Sequence, residues 1–305
     1  MYDIIVIGAG PAGLTAALYA RRAEKRVLVI EKECVGGQIT HSPKVENYPG
    51  FSALSGSELG EKMFEHALSL GVELELDTVT GIEGEAGNIT VRGEYANYQA
   101  KAVIIATGSK HRTLGLPGEE RFTGEGISYC AVCDGAFYKG GTVAIIGGGN
   151  SALQEAVLLS ESCERVYVVQ NLDFLTGEDA LQKILKKRDN VEVILGTTVE
   201  SILEQEGKFA GIVLKKADTG ATSPLSVDGM FVAIGQKPEC EAFAGTVALS
   251  DYGYIEAGED CKPVSVIDGV FVAGDCRTKA IRQVTTATAD GAVAALAACR
   301  FIDTL

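Results

Sequence analysis

The chain has 305 residues, 46% of them hydrophobic, with 27 Lys and Arg against 41 Asp and Glu, a formal net charge of −14 and a sequence pI near 4.8. That length suggests about two domains of roughly 100–200 residues each, and the apolar content suffices for two cores. The charge disfavours nucleic acid or an anionic membrane as a main partner, both being polyanions, and the apolar runs fall short of the ~20 residues that one membrane-spanning helix needs.

Tyr2-Asp3-Ile4-Ile5-Val6-Ile7 runs straight into a buried-strand pattern with no basic leader or cleavage site, which sets the expectation of a cytoplasmic protein. The turn Gly8-Ala9-Gly10-Pro11-Ala12-Gly13 follows, then a helical stretch from Leu14 to Arg22 and a strand from Val27 to Ile30. This is a βαβ unit, whose buried parallel strands read as unbroken apolar runs. In a dinucleotide fold the first glycine allows the tight turn, the second lets backbone approach the pyrophosphate, and the third permits close helix-to-strand packing, with the helix N-terminus facing the phosphates. Gly8, Gly10 and Gly13 take those places, and Glu31 supplies the acid expected about 20 residues on for a ribose 2′-hydroxyl. The pattern predicts a bound adenine dinucleotide, but the turn does not separate FAD from NAD.

Further along, Lys101 to Gly108 reads as a strand ending in a small-residue turn. The same order of elements then recurs: a strand from Val143, the turn Gly147-Gly148-Gly149, a helix Ala152 to Leu159, and a strand Val166 to Val169. Gly229 to Gly235 and Gly269 to Asp275 each return the chain to a sheet, and the alanine-rich stretch Val284 to Phe301 closes it as a helix. Gly and Pro breaks at Leu114–Glu120 and 236–245 mark linkers. The expected fold is α/β, two Rossmann-like three-layer domains of the FAD/NAD(P)-binding kind, the second inserted into the first. Residues 1–114 and 243–305 form the first nucleotide-binding domain, which the family resemblance described below implies to be the FAD-binding one, and 115–242 the inserted NAD(P)-binding-like domain; the two crossings leave room for rotation.

Eight cysteines are scattered as Cys34, Cys130, Cys133, Cys163, Cys240, Cys261, Cys276 and Cys299, and only Cys130 and Cys133 have Cys-x-x-Cys spacing. That pattern reads as redox chemistry ahead of a metal site or a disulfide scaffold, since no second such pair and no paired histidines appear among His41, His66 and His111. Cys-x-x-Cys spacing lowers a thiol pKa and makes a thiolate available for exchange. Asp134 is either a proton donor to a leaving thiolate or reduced flavin or a turn residue before Gly135. Asp275 is either a hydrogen-bonding partner for a polyol hydroxyl of FAD or a helix cap. The remaining cysteines read as buried, inert residues, with Cys276 the one to check because it adjoins Asp275. Lys183, Lys186, Lys187 and Arg188 read as a solvated helix face.

The second glycine turn is complete, with Gly147, Gly149 and the allowed alanine Ala152. Where Glu31 stands in the first unit, the second has Gln170, followed by Asn171 and Leu172, so it offers neither a carboxylate for an NAD ribose nor an arginine for an NADP 2′-phosphate. Two readings stand: a retained scaffold, or a weak NADH site using Gln170.

Gly8 to Gly13, Gly36-Gly37-Gln38, Val45 to Gly50, Ala106-Thr107-Gly108, Cys130 to Gly135, Gly147 to Ala152, and Gly274-Asp275 with Arg282-Gln283 together resemble the low-molecular-weight thioredoxin reductases over essentially the whole chain. The resemblance implies FAD against Gly8, Gly10, Pro11, Ala12 and Gly13, Glu31 and Lys32, Gly36, Gly37 and Gln38, Asn47, Ala106, Thr107 and Gly108, and Gly274, Asp275, Arg282, Gln283 and Val284. It also implies a redox disulfide with Cys133 nearer the flavin, Cys130 attacking thioredoxin and Asp134 as the acid, no metal, and a homodimer. Family members that use NADPH carry a His-Arg-Arg segment and a following arginine, whereas this chain has Gln170-Asn171-Leu172-Asp173-Phe174-Leu175-Thr176-Gly177. In that respect it resembles the ferredoxin-dependent flavin thioredoxin reductases, which implies reduced ferredoxin as donor. An NADH- or NADPH-dependent reductase with an atypical site is the enzymatic alternative, and a flavin-bearing redox sensor the non-enzymatic one.

Overall fold

Ile4 to Ile7 lack polar alternation because the strand they form, β1 (Tyr2–Ile7), is almost wholly covered over that stretch. In the computed structural model, which describes residues 1–42 and 44–305, the chain divides into one unit of Met1–Lys110 with Lys237–Leu305 and another of His111–Gln236. The first continues through α1 (Pro11–Arg22), β2 (Val27–Glu31), α2 (Gly56–Ser69), β3 (Glu73–Leu76), β4 (Val79–Glu85), β5 (Asn88–Gly93) and β6 (Asn97–Ile105). Pro11 opens α1, where its missing N–H costs nothing, and Arg21 and Arg22 close it against the negative end of the helix dipole. Ser55 and Glu58 make a reciprocal capping box for α2.

β7 (Ser109–His111) leaves the first unit, and β16 (Gln236–Pro238), paired with it, returns. The second unit holds β8 (Ile127–Ser128), α3 (Ala131–Asp134), β9 (Thr142–Ile146), α4 (Asn150–Ser160), β10 (Arg165–Val169), α5 (Asp179–Leu185), β11 (Val191–Ile194), β12 (Thr197–Gln205), β13 (Lys208–Lys216), β14 (Thr222–Leu225) and β15 (Gly229–Val232). Its parallel sheet runs β11-β10-β9-β15-β8, and β12, β13 and β14 form an antiparallel meander. After β16, the strand β17 (Val270–Val272) and the helix α6 (Val284–Ile302) complete the first unit. There the order is β3-β2-β1-β6-β5-β4; the end of β6 pairs in parallel with β17 while its start pairs antiparallel with β5. Among the described residues no helix is long and apolar enough to cross a membrane.

The units divide at 110/111 and 236/237; the second boundary falls within the 236–245 break, and the first precedes the break at Leu114–Glu120. The first break is an ordered turn inside the second unit: the buried Glu119 carboxylate accepts the N–H groups of Leu114 and Leu116 and the Tyr129 hydroxyl. The basic run is corrected too. α5 ends at Leu185, so Lys186, Lys187 and Arg188 lie at and beyond its end.

In the first unit α1 lies directly on α6, small residue against small residue: Ala12, Ala16, Ala17 and Ala20 share a core with Ala294, Ala295 and Ala298. A Cβ on Gly291 would stand 2.2 Å from the carbonyl oxygen of Ala12 and 3.0 Å from the Ala16 nitrogen. Backbone cannot yield as a flexible side chain can, so Gly291→Ala should destabilise the protein by roughly 1–3 kcal/mol, lowering the melting midpoint by several degrees. Thermal unfolding against the parent checks it; an unchanged midpoint would show that the helices separate at no cost.

Candidate active site

The first glycine turn is held close at its first and third glycines. Gly8 has φ +108, and a Cβ there would lie 2.4 Å from the Ala106 oxygen; one on Gly13 would lie 1.9 Å from the Gly8 oxygen. A side chain at either place would force apart strand, turn and helix. Glu31 ends β2, nearly buried, and its carboxylate accepts the N–H of Ala9 at 2.7 Å and those of Lys32 and Glu33 at 2.9 Å. Lys32 pairs with Glu239 at 2.7 Å. Gly36 donates its N–H to the Ala9 oxygen, and the Cα of Gly10 lies 3.1 Å from where a Cβ on Gly37 would stand, so Gly36 and Gly37 border the turn. Gln38 is in the short 3-10 turn Gly37–His41.

Asn47 reaches Gln283 through a 3.2 Å side-chain hydrogen bond, which joins two distant parts of the sequence. Thr107 and Gly108 follow the end of β6, and a Cβ at Gly108 would meet nothing within 4 Å. Gly274 packs on the Cβ of Ala12. Gln283 is the N-cap of α6, exchanging hydrogen bonds with Thr286, so Asp275 is not the cap of that helix. Its Oδ1 is buried with no partner, and burial pushes its carboxyl up although Lys279 and Arg282 pull it down. Thr107 Oγ1 and Arg282 Nε are likewise buried without a partner. Arg282 lies 4.2 Å over the Tyr254 ring, and Val284 opens α6.

Buried groups left unsatisfied cost free energy unless something else meets them. Orphans at Thr107, Asp275 and Arg282, together with glycine backbone left bare at Gly10 and Gly108, fit a polyhydroxylated phosphate ester such as a dinucleotide. A cavity of about 190 Å³ brings together Gly8, Glu31, Lys32 and Thr107 with Asp77, Glu239, Glu241 and Phe243, which the sequence did not single out. No motif flags those four. Asp77 is held by the N–H groups of Glu94, Tyr95 and Ala96 and by the Tyr98 hydroxyl, all from the β5–β6 turn and the start of β6.

In the second unit Cys130 and Cys133 are joined as a disulfide across the first turn of α3, both half-buried, with Val132 between them 58% exposed. Asp134 closes α3. Ser128, also not anticipated, donates its hydroxyl to Asp134 Oδ2 at 2.6 Å and accepts the Cys130 N–H at 3.1 Å. Asp134 Oδ1 is buried with no partner, and burial raises the carboxyl above its ordinary range against the opposing pull of Ser128. The arrangement is a disulfide with an adjoining carboxyl able to hold a proton. Cys34 is exposed, and Cys163, Cys240, Cys261, Cys276 and Cys299 are buried. Cys276, the one flagged by its place beside Asp275, is fully buried, with its sulfur against the Ala273 and Ile105 carbonyls.

The second glycine turn repeats the first closely. Gly147 has φ +135, and a Cβ there would lie 2.4 Å from the Ala233 oxygen. Gln170 is buried where Glu31 is buried, and its amide lies over Gly148, 2.6 Å from where a Cβ would stand. It donates to the Phe174 oxygen at 3.4 Å, while Thr176 and Gly177 donate their N–H groups to the Gly148 oxygen at 2.9 Å.

A family model described as pyridine nucleotide-disulphide oxidoreductase matches residues 2–291. Thioredoxin reductase of Bacillus subtilis (strain 168) is 40% identical over 306 residues, covering 100% of this chain and 96% of that protein. The crystal structure of thioredoxin reductase from Streptococcus pyogenes MGAS5005 aligns with a TM-score of 0.92 at 38% identity, over 100% of this chain and 99% of that one. A ferredoxin-flavin thioredoxin reductase from Clostridium acetobutylicum aligns with a TM-score of 0.53 at 32% identity, over 100% and 99% of the two chains. With two glycine turns, a disulfide pair and likeness along its whole length, the chain belongs to the pyridine nucleotide-disulphide oxidoreductase family, among the low-molecular-weight thioredoxin reductases, which are FAD flavoproteins.

Proposed function

We propose that the chain is a thioredoxin reductase in which electrons pass from FAD through Cys130 and Cys133 to thioredoxin, with reduced ferredoxin as the donor. The observation that carries the reading is the Cys130–Cys133 disulfide beside the buried carboxyl of Asp134. The Gly8–Gly13 turn, Glu31, Thr107 and Asp275 would hold FAD, which would supply a centre able to accept electrons singly and give them up as a pair. Two-electron reduction breaks the bond between the Cys130 and Cys133 sulfurs, and Asp134, whose carboxyl burial pushes up, is placed to give one proton to the thiolate that leaves. Cys130 as thiolate attacks a sulfur of the thioredoxin disulfide. A Cys130–thioredoxin bond forms, the partner's own bond breaks, and its departing sulfur takes a proton. Cys133 then attacks the Cys130 sulfur, the internal disulfide re-forms, and the second thioredoxin thiol is released.

Gln170 supports the choice of donor. A neutral amide lies over Gly148, and the segment Asn171 to Gly177 contains no cation to meet a 2′-phosphate. The lost contacts are of the charge-assisted, bidentate kind that phosphate recognition uses. The Clostridium acetobutylicum neighbour, named for ferredoxin, is consistent with a one-electron donor. One observation favours the alternative of NADH or NADPH: a cavity of about 430 Å³ beside Phe174 and Leu175 is lined by Lys186 and Arg188.

Anaerobic titration of the FAD-loaded protein separates them. Reduced ferredoxin should bleach the flavin absorbance rapidly, and NADPH should do so slower by roughly a hundredfold or more, the worth of two lost charged hydrogen bonds. Equally brisk bleaching by NADPH would reject ferredoxin dependence and move the assignment to the nucleotide.

A further inference from the structure

The chain treats its two glycine turns differently. α1 opens with Pro11, Ala12 and Gly13, none of whose side chains can hold an anion at the start of that helix. At the second turn the segment 174–178 folds back over the glycines. Thr176 and Gly177 both donate their N–H groups to the Gly148 oxygen at 2.9 Å. The Glu178 N–H reaches Asn150 Oδ1 at 2.7 Å, and Asn150 Nδ2 returns a hydrogen bond to Glu178 Oε1 at 3.0 Å. Gln182 of α5 fastens the segment from its far side, donating to the carbonyls of Gly177 at 2.7 Å and Leu175 at 3.3 Å. Gly177 is buried, and a Cβ there would stand 2.5 Å from Leu153 Cδ1 and 3.1 Å from the Gly149 carbonyl carbon, so only glycine lets the segment lie this close.

Asn150 is the first residue of α4, a helix with no acidic residue in its own first turn. The reciprocal pair of bonds therefore sets the Glu178 carboxylate at the positive end of α4. In a dinucleotide fold that end receives the pyrophosphate. We infer that the segment 174–178 is a built-in strap and Glu178 a specificity-determining residue, whose carboxylate stands where a nucleotide's pyrophosphate would have to enter and so turns away NADH and NADPH alike. The cations missing from Asn171 to Gly177 bear on a 2′-phosphate only, and would leave NADH free to bind. The strap acts on the diphosphate that both nucleotides share. Glu178 is exposed, so water and salt screen its repulsion and the effect is one of several-fold in affinity.

The inference rests on the reading that no nucleotide is the donor, and its test passes through neither ferredoxin nor thioredoxin. FAD-loaded protein is titrated at low salt with ADP-ribose, which carries the diphosphate but has no 2′-phosphate and cannot reduce a flavin, and binding is followed by isothermal calorimetry. Glu178→Gln keeps an oxygen for Asn150 and loses the charge. It should bind ADP-ribose about three- to tenfold more tightly than the parent, as expected when one like charge leaves a helix N-terminus, and the gain should shrink as salt is raised. Glu178→Asp, which keeps the charge, should stay with the parent. Equal affinities for the parent and Glu178→Gln, no saturable binding by either, or an Asp variant that tightens as the Gln one does would overturn the inference and leave the choice of donor untouched. Tighter binding by Glu178→Gln together with brisk bleaching of the parent's flavin by NADPH would do the reverse.

Discussion

Cys133→Ser should abolish catalytic formation of thioredoxin thiols, by roughly 10³-fold or more as for other removed nucleophiles, while flavin remains bound. Serine is nearly isosteric, so α3 keeps its turn, but its hydroxyl neither accepts an electron pair from a reduced flavin nor resolves a mixed disulfide. Cys133 is bonded to Cys130 and half-buried, whereas Cys34 is exposed and free. Cys34→Ser is therefore the matched control and should retain full activity. The assay is steady-state appearance of thioredoxin thiols with a reductant that serves the flavin. Activity of Cys133→Ser within a few-fold of the parent would mean that electrons leave the flavin by another path.

The largest effect on stability is expected at Asp290, a residue no sequence motif marks. From within α6 its carboxylate accepts Arg277 Nε at 2.9 Å and Nη2 at 2.8 Å, Lys279 Nζ at 2.8 Å and the Gly274 N–H at 3.1 Å. The side chains of the three charged residues are less than a tenth exposed. Burial pushes the Asp290 carboxyl up, but Arg277 and Lys279 more than offset it and hold it below the ordinary range. Asp290→Asn leaves two buried cations without an anion, a change that costs about 3–5 kcal/mol. It also loosens the Gly274–Lys279 segment that carries Asp275, so flavin retention should fall with it.

The pH dependence has a definite sign. A carboxyl depressed in the folded state contributes its stability in full above its unfolded pKa, about 3.9 for aspartate, and loses it as pH falls through the folded value. Melting of the flavin-free parent should therefore drop from about pH 4 downward more steeply than melting of Asp290→Asn. Parallel curves, or an unchanged midpoint at pH 7, would show that Arg277 and Lys279 find other partners.

What the sequence showed best was what local backbone geometry demands. Gly8 and Gly147 require positive φ against a carbonyl oxygen, and the apolar runs Ile4 to Ile7 and Val143 to Ile146 are strands buried on both faces. The disulfide pair was visible for the same reason, because its spacing is local. Contacts that depend on distant parts of the chain meeting were not legible. Asp290 reads as one polar residue in an alanine-rich helix until Arg277 is seen folded against it, and Ser128 reads as an ordinary strand residue until it bridges Cys130 and Asp134. Gly115 and Pro117 signal a turn at 114–120 but say nothing of the Glu119 carboxylate that anchors it inside the second unit. The meander Thr197–Leu225 passed unread because its strands are short of the continuous apolar character that marks the parallel ones; β12 is half-exposed along most of its length.

The route through Cys130 is measured most directly by trapping it. Cys133→Ser protein is mixed with a thioredoxin that lacks its resolving cysteine and is activated as a mixed disulfide with thionitrobenzoate. The yellow leaving group should be released with formation of a covalent adduct, and peptide mapping should place the bond on Cys130, with Cys130→Ser giving none. Equal adduct from Cys130→Ser, or a bond mapped to Cys34, would contradict the assignment of this disulfide as the outlet for electrons.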